Sequence, residues 1–257
     1  MSGYDLFLLA HPDDDLFVRP LLTAPDCAKL VIYLTNGQAP GPVTPEQRRR
    51  ESTHALAAAG VSDIAWCGID QNIEAGALPR RIADCHAAVT TAIAARGPLR
   101  RVITHAWEGG HPDHDAAHLI GLAIARASGV LADSRSAPYY RAPQSGPMPF
   151  LVMSPLETNG PVERHRIGFG GAFGMLGAVR HYPTQLVPMI GLTPGMAASV
   201  LTSRQLNLQR LDLSPAPARP MPGRLLYESR NDLSFAAFTD LTGVFVAKHV
   251  LPAGGAQ

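Results

Sequence analysis

The stretch Tyr4-Asp5-Leu6-Phe7-Leu8-Leu9-Ala10-His11-Pro12-Asp13-Asp14-Asp15 decides the fold and points to the chemistry. Tyr4 to Leu9 is a short apolar run of the kind that forms a buried strand. One imidazole and three carboxylates then crowd into the positions that follow it. Such a cluster is costly to fold unless a cation neutralises it. A second cluster, His111-Pro112-Asp113-His114, follows another apolar run, Arg101 to Thr104. Together the two clusters offer His, Asp and His. That set suits zinc, with one coordination position left open for water.

Working outward, apolar runs at Tyr4–Leu9, Lys29–Thr35, Asp63–Cys67 and Arg101–Thr104 read as buried strands with helical stretches between or after them. Thr44-Pro45-Glu46-Gln47 is a capping box with Pro at the first helical position, and the helix it opens stops at Gly60. A second helix fits Leu78 to Arg96 and a third fits Asp113 to about Ser128. This alternation implies an α/β fold, a Rossmann-like and mostly parallel sheet with helices on both faces. Ligands of such sheets gather at the carboxyl ends of strands, where the strand order reverses. With the order 3-2-1-4, the first and fourth strands are neighbours and both clusters open into one crevice.

After about residue 130 the pattern is irregular, and Pro and Gly are frequent through Pro138–Pro149 and Pro215–Gly223. Short β-like pieces are expected at Phe150–Met153 and Arg224–Tyr227, and a helical stretch near Gly195–Leu211. The end, Pro252–Gln257, is expected to fray. One domain over residues 1–257 is expected, with a core over 1–130 that carries the clusters and substrate walls over 131–257.

With 46% apolar and 17% charged residues, the 257-residue chain has the composition of a soluble globular protein. A formal net charge of +1 gives no general affinity for nucleic acid or anionic membranes. Cys27, Cys67 and Cys85 form no CxxC pair and read as buried reduced thiols. No signal-like start is seen, and no apolar run approaches the roughly 18 residues that span a bilayer. A cytoplasmic protein without a membrane span is expected.

Zinc lowers the pKa of a bound water to about 7, and a carboxylate within reach can then take its proton. Asp13 and Asp14 leave a tight turn in different directions, so one can face the metal and the other the water. His111, His114 and His118 fall at offsets that share one helix face. One is the third ligand; another could donate to a developing oxyanion, oriented and kept protonated by Asp113 or Asp115. That pairing would give a bell-shaped dependence of rate on pH. His105 and His118 read as structural. Trp107 reads equally as a sugar-stacking ring or a packed loop aromatic. A solvated turn that caps a helix would explain the first cluster alone, but not the pair.

Ala10-His11-Pro12-Asp13-Asp14 and His111-Pro112-Asp113-His114 resemble the two signatures of the PIG-L/LmbE-like zinc-dependent de-N-acetylases. The resemblance extends to Thr35-Asn36-Gly37 and Arg48-Arg49-Arg50-Glu51, and more weakly to Tyr182-Pro183-Thr184-Gln185. It is good to about residue 130 and thin beyond. It implies metal ligation by His11, Asp14 and His114, with Asp13 as general base and His111 as oxyanion stabiliser or acid. It further implies that Asp113 tunes His111 and that Arg48 holds substrate hydroxyl or phosphate groups. Two positions depart from the pattern. Asp15 replaces the usual Glu, and Gly109 stands where some members carry a mobile Tyr.

The expected function is removal of an acetyl or acyl group from an N-acetylated amino sugar, such as N-acetylglucosamine, or a sugar conjugate. The cofactor would be Zn2+, or Fe2+ in cells, and the partner a small-molecule or glycan substrate. The same site would also serve an amidase of a non-sugar amide, an iron oxygenase, or a metal-stabilised module without catalysis.

Overall fold

The computed structural model describes residues 3–38, 41–144, 149–212 and 218–251. The strands are β1 (Tyr4–Leu9), β2 (Ala28–Tyr33), β3 (Asp63–Ala65), β4 (Leu99–His105), β5 (Arg135–Ala137), β6 (Tyr140–Arg141), β7 (Leu151–Val152), β8 (Val162–Arg166) and β9 (Gln205–Arg210). The α-helices are α1 (Asp15–Leu22), α2 (Pro45–Ala57), α3 (Cys67–Asp70), α4 (Ile82–Ala94), α5 (Pro112–Ala127), α6 (Gly168–Ala178), α7 (Leu186–Ser203), α8 (Leu226–Arg230) and α9 (Phe235–Phe245). Seven strands form one sheet in the order β3-β2-β1-β4-β5-β9-β8, and β6 and β7 pair separately. β3, β2, β1, β4 and β5 run parallel; β9 and β8 complete the sheet antiparallel.

β1 lies inside the sheet, between β2 and β4, with every side chain buried. Leu6 and Leu8 pack on one face with Val89 of α4, Leu119 of α5 and Phe238 of α9. Phe7 and Leu9 pack on the other with Phe17 of α1, Leu56 of α2, Met175 of α6 and Met196 of α7. Each such side chain contributes roughly 1.5–3 kcal/mol on burial. Asp5 is a carboxylate inside this strand. Arg100 at 2.6 Å and Arg101 at 2.7 Å offset its charge.

The expected order of the first four strands and the capping box are both present. Thr44 Oγ1 accepts from the Gln47 amide at 3.2 Å, and Gln47 Oε1 accepts from the Thr44 amide at 2.8 Å. The second half needs correction. The stretch near Gly195–Leu211 is not one helix: α7 ends at Ser203, and Arg204 turns the chain in the left-handed region (φ 50°) into β9. Leu206 and Leu208 then point into the core as alternate residues of a strand. Arg224–Tyr227 is not a β piece; Glu228 accepts from the Leu225 amide at 2.8 Å and starts α8. The expected piece at Phe150–Met153 is β7. The expected fraying of Pro252–Gln257 lies outside the described residues. Among the described residues, no helix is long and apolar enough to cross a membrane.

Candidate active site

His11, Asp13 and Asp14 leave the carboxyl end of β1, and residues 106–111 leave the carboxyl end of β4 beside it. The turn after β1 closes by an Asp14 amide to His11 carbonyl bond of 3.1 Å. Asp13 adopts φ 129°, a conformation that L residues rarely hold. Such strain costs about 1–3 kcal/mol and gathers at functional sites. Gly37 lets the chain pass close by: a Cβ there would lie 2.7 Å from Pro12 Cδ and 2.9 Å from Arg48 Nε.

Three donors converge. His11 Nδ1 lies 3.5 Å from Asp14 Oδ2, His114 Nε2 lies 3.4 Å from Asp14 Oδ1, and the two nitrogens are 3.3 Å apart. Tetrahedral zinc with bonds of about 2.0–2.1 Å needs donors roughly 3.3 Å apart; these spacings approach that value but use both Asp14 oxygens, and with one donor atom per residue His111 groups with His11 and His114. His105 offers a competing arrangement with Asp14 and His114, its Nε2 lying 3.3 Å from Asp14 Oδ2. That nitrogen already accepts the Ala10 amide at 3.0 Å. His105 therefore stacks on His114, with centroids 4.0 Å apart, as a packed support. His118 holds the His105 carbonyl at 2.8 Å and is likewise structural.

Asp113 departs from expectation. Its carboxylate does not hold His111, whose Nδ1 is 3.8 Å away. It accepts from His11 Nε2 at 2.9 Å and from the Gly76 and Leu78 amides at 2.5 and 3.1 Å. Asp113 thus orients the His11 ring through Nε2–H, and Nδ1 faces Asp14 and His114. Asp115 does not hold His111 either; it accepts the Glu108 and Gly109 amides, each at 3.2 Å.

His111 caps α5, its Nδ1 accepting the Asp113 amide at 3.2 Å. Burial, then the charge on His11, pushes its pKa down to about 3. The expected protonated His111 is therefore corrected to a neutral imidazole carrying its proton on Nε2. Burial and the neighbouring His105 push His114 down to about 3 as well. For His11 burial acts downward, but its hydrogen bonds to the Asp113 and Asp14 carboxylates outweigh it and raise the pKa to about 10. Burial opposes charge on Asp14 too, yet His114 and His105 hold its carboxyl well below the usual range. Burial lifts Asp13 to about 6 although Arg48 opposes the shift.

Arg48 Nη2 lies 3.2 Å from Asp13, while its buried Nε and Nη1 have no hydrogen-bond partner. His11, Asp13, Asp14, Arg48 and His111 line a cavity of about 170 Å³. Phe17, Gly37 and Ala75 also line it, as do Tyr140, Gln185, Met189 and Leu192. Those four were not singled out from the sequence as site residues, although the Tyr182–Gln185 segment carried a weak signal. Its neighbours explain it: Glu51 accepts from Thr184 Oγ1 at 2.6 Å, and Tyr182 donates to Asp15. Asp15 also accepts from Tyr33 at 2.8 Å, so it braces the turn from below. Glu108 accepts the Tyr139 and Tyr140 amides at 2.7 and 3.0 Å, fixing Tyr140 at the wall. Trp107 is fully buried, donates to the Ala218 carbonyl at 2.8 Å and cannot stack on a sugar. At Gly109 the φ is 68° and a Cβ would lie 2.7 Å from Leu225, which leaves no place for a Tyr. A larger cavity of about 630 Å³, lined by Tyr4, Thr23, Cys27 and Arg96, lies at the opposite ends of the strands.

Residues 6–125, which contain both clusters, match the family model described as PIG-L, GlcNAc-PI de-N-acetylase. The match is confined to those residues, 120 of the 257. No curated protein sequence matches the chain. Its fold resembles that of the A40926 pseudoaglycone deacetylase Dbv21, at 20% identity and a TM-score of 0.59 over 81% of this chain and 98% of that one. A deacetylase–bog complex from the teicoplanin biosynthesis pathway matches at 15% identity and a TM-score of 0.58, over 80% and 97%. The zinc-inhibited form of teicoplanin deacetylase Orf2 matches at 14% and 0.54, over 80% and 97%. At these identities the likeness is one of fold. It extends the comparison past the PIG-L match into the second half of the chain.

Proposed function

We propose that the chain is a metal-dependent deacetylase that removes an acetyl or acyl group from an N-acylated amino sugar or sugar conjugate. The observation that carries this reading is the spacing of His11 Nδ1, Asp14 and His114 Nε2 at 3.3–3.5 Å, with Asp13 free of that set. His11, Asp14 and His114 would hold the ion, which supplies a Lewis acid and a more acidic water. Asp13 takes the proton as water adds to the amide carbon. His111 donates from Nε2 to the oxygen that becomes negative. Arg48, whose Nη1 also faces Glu51 at 4.0 Å, orients Asp13 and offers N–H groups without a hydrogen-bond partner to substrate oxygens. The 170 Å³ cavity is smaller than the roughly 300–1,000 Å³ that engulfs a drug-sized ligand. Only the reacting end of a conjugate enters it. The PIG-L match and the deacetylases of similar fold support the same class.

Two experiments test this. Protein of known metal content, offered a panel of N-acetylated sugars and sugar conjugates, releases acetate from at least one of them; no release across the panel would reject the reading. Asp113→Ala, by freeing the ring of His11, weakens metal affinity by about 10- to 100-fold. Chelator competition measures that loss, and unchanged affinity would leave Asp113 without a role in holding His11.

A further inference from the structure

Residues 167–203 contain one formally charged residue, Arg180, and no acid. Most of this stretch is α6 and α7, which pack together. α7 carries no charged side chain, and its polar residues are Thr193, Ser199, Thr202 and Ser203. Met189, Met196 and Val200 are buried in the core, whereas Leu186, Val187 and Ile190 are 50%, 81% and 72% exposed. The first turns of α7 thus present large apolar side chains both inward and outward, and among the described residues only the inward ones are covered. α6 adds Phe169 and Phe173, 58% and 61% exposed. Large apolar side chains gathered on two packed helices differ from singly scattered surface hydrophobes, which need no explanation.

The ends of this face are cationic. The Arg204 guanidinium lies 4.8 Å over the Phe169 ring. Arg166 and Arg204 border one depression with Gly168, Ser203 and Gln205. Arg180 is exposed in the short turn after α6. The nearest acid in the sequence before α6, Glu163, is committed to Arg135 at 2.8 Å. Gln185, just before α7, and Met189 and Leu192 in its first turns line the catalytic cavity. The apolar face therefore begins at the cavity wall.

We infer that the α6–α7 face docks on an anionic lipid surface. Leu186, Val187, Ile190, Phe169 and Phe173 enter the acyl boundary, and Arg166, Arg180 and Arg204 meet headgroup phosphates. Docking in this way holds the cavity mouth beside the interface. The net charge of +1 conceals the arrangement because the acids lie elsewhere. A second copy of the chain fits less well, since a two-fold pair would set the same arginines together with no carboxylate to meet them. The inference is independent of the reaction proposed above.

The test is flotation of the whole protein with vesicles of phosphatidylglycerol and phosphatidylcholine, against phosphatidylcholine alone. The protein floats with the anionic vesicles, less so as salt is raised. The double substitution Val187→Asp with Ile190→Asp lowers partitioning by about tenfold or more, the worth of losing buried apolar side chains. Arg180→Ala lowers it about fivefold. Val244→Asp, at an 82% exposed apolar position on α9 over the opposite sheet face, leaves it unchanged. Failure to float with anionic vesicles, or equal flotation of the double variant, would overturn the inference. So would a concentration-dependent dimer that the same double substitution dissociates, which would put a second copy on this face.

Discussion

Asp13→Asn is expected to keep its bound ion and to lose about 100- to 10,000-fold in kcat, the usual worth of a general base. Asp13 stands outside the three converging donors, 3.2 Å from the Arg48 guanidinium and held at φ 129°. Asn keeps the size and the contact with Arg48, but it cannot accept a proton. The same group sets the acid side of the rate profile. Burial lifts its pKa to about 6, and only the ionised form acts as base. The wild-type rate should therefore fall about tenfold per pH unit below that value, and a positive ion bound beside Asp13 shifts the limb to lower pH. Kinetics across pH, together with metal analysis of the variant, check both parts. If Asp13→Asn empties the site, Asp13 is a ligand and exchanges roles with Asp14.

His111→Ala comes next in expected size. Removing one oxyanion donor costs about 100- to 1,000-fold in turnover, with metal content and KM near normal. The His111 imidazole accepts the Asp113 amide on Nδ1 and so carries its proton on Nε2. It can donate without being charged, and its pKa of about 3 leaves it neutral through the working range. The substitution should lower the whole rate profile while the acid limb keeps its position. The bell shape expected from a protonated His111 gives way to a profile in which His111 contributes no alkaline limb. An alkaline limb that disappears in His111→Ala would restore the charged form, and unchanged turnover would remove His111 from the reaction.

The first half of the chain was legible because βα units carry strong local signals. β1 has the bounds its apolar run implies, and the capping box at Thr44 starts α2. The neighbouring carboxyl ends of β1 and β4 follow from strand order, which brings His11, Asp14 and His114 together. The partner of Asp113 was not legible. His11 and Asp113 are 102 residues apart in sequence, and only the packed loops decide which imidazole that carboxylate meets. α1 was hidden because Pro20 and the acidic run obscure Leu16, Phe17, Val18 and Leu22, all of them buried. Glycine-rich α6 has poor intrinsic helix propensity and is held by packing on α1 and α7. Tyr140 reaches the cavity from the two-residue β6, Met189 and Leu192 from α7 and Gln185 from the residue before it, and no period or spacing in the sequence marks them.

Metal analysis of three purified proteins tests the central claim most directly: wild type, His11→Ala and His105→Gln. The proposed ligands are His11, Asp14 and His114, and the Ala10 amide occupies His105 Nε2. Wild type and His105→Gln should each hold about one divalent ion per chain, and His11→Ala should lose most of it. Full occupancy in His11→Ala, with loss in His105→Gln, would contradict the assignment.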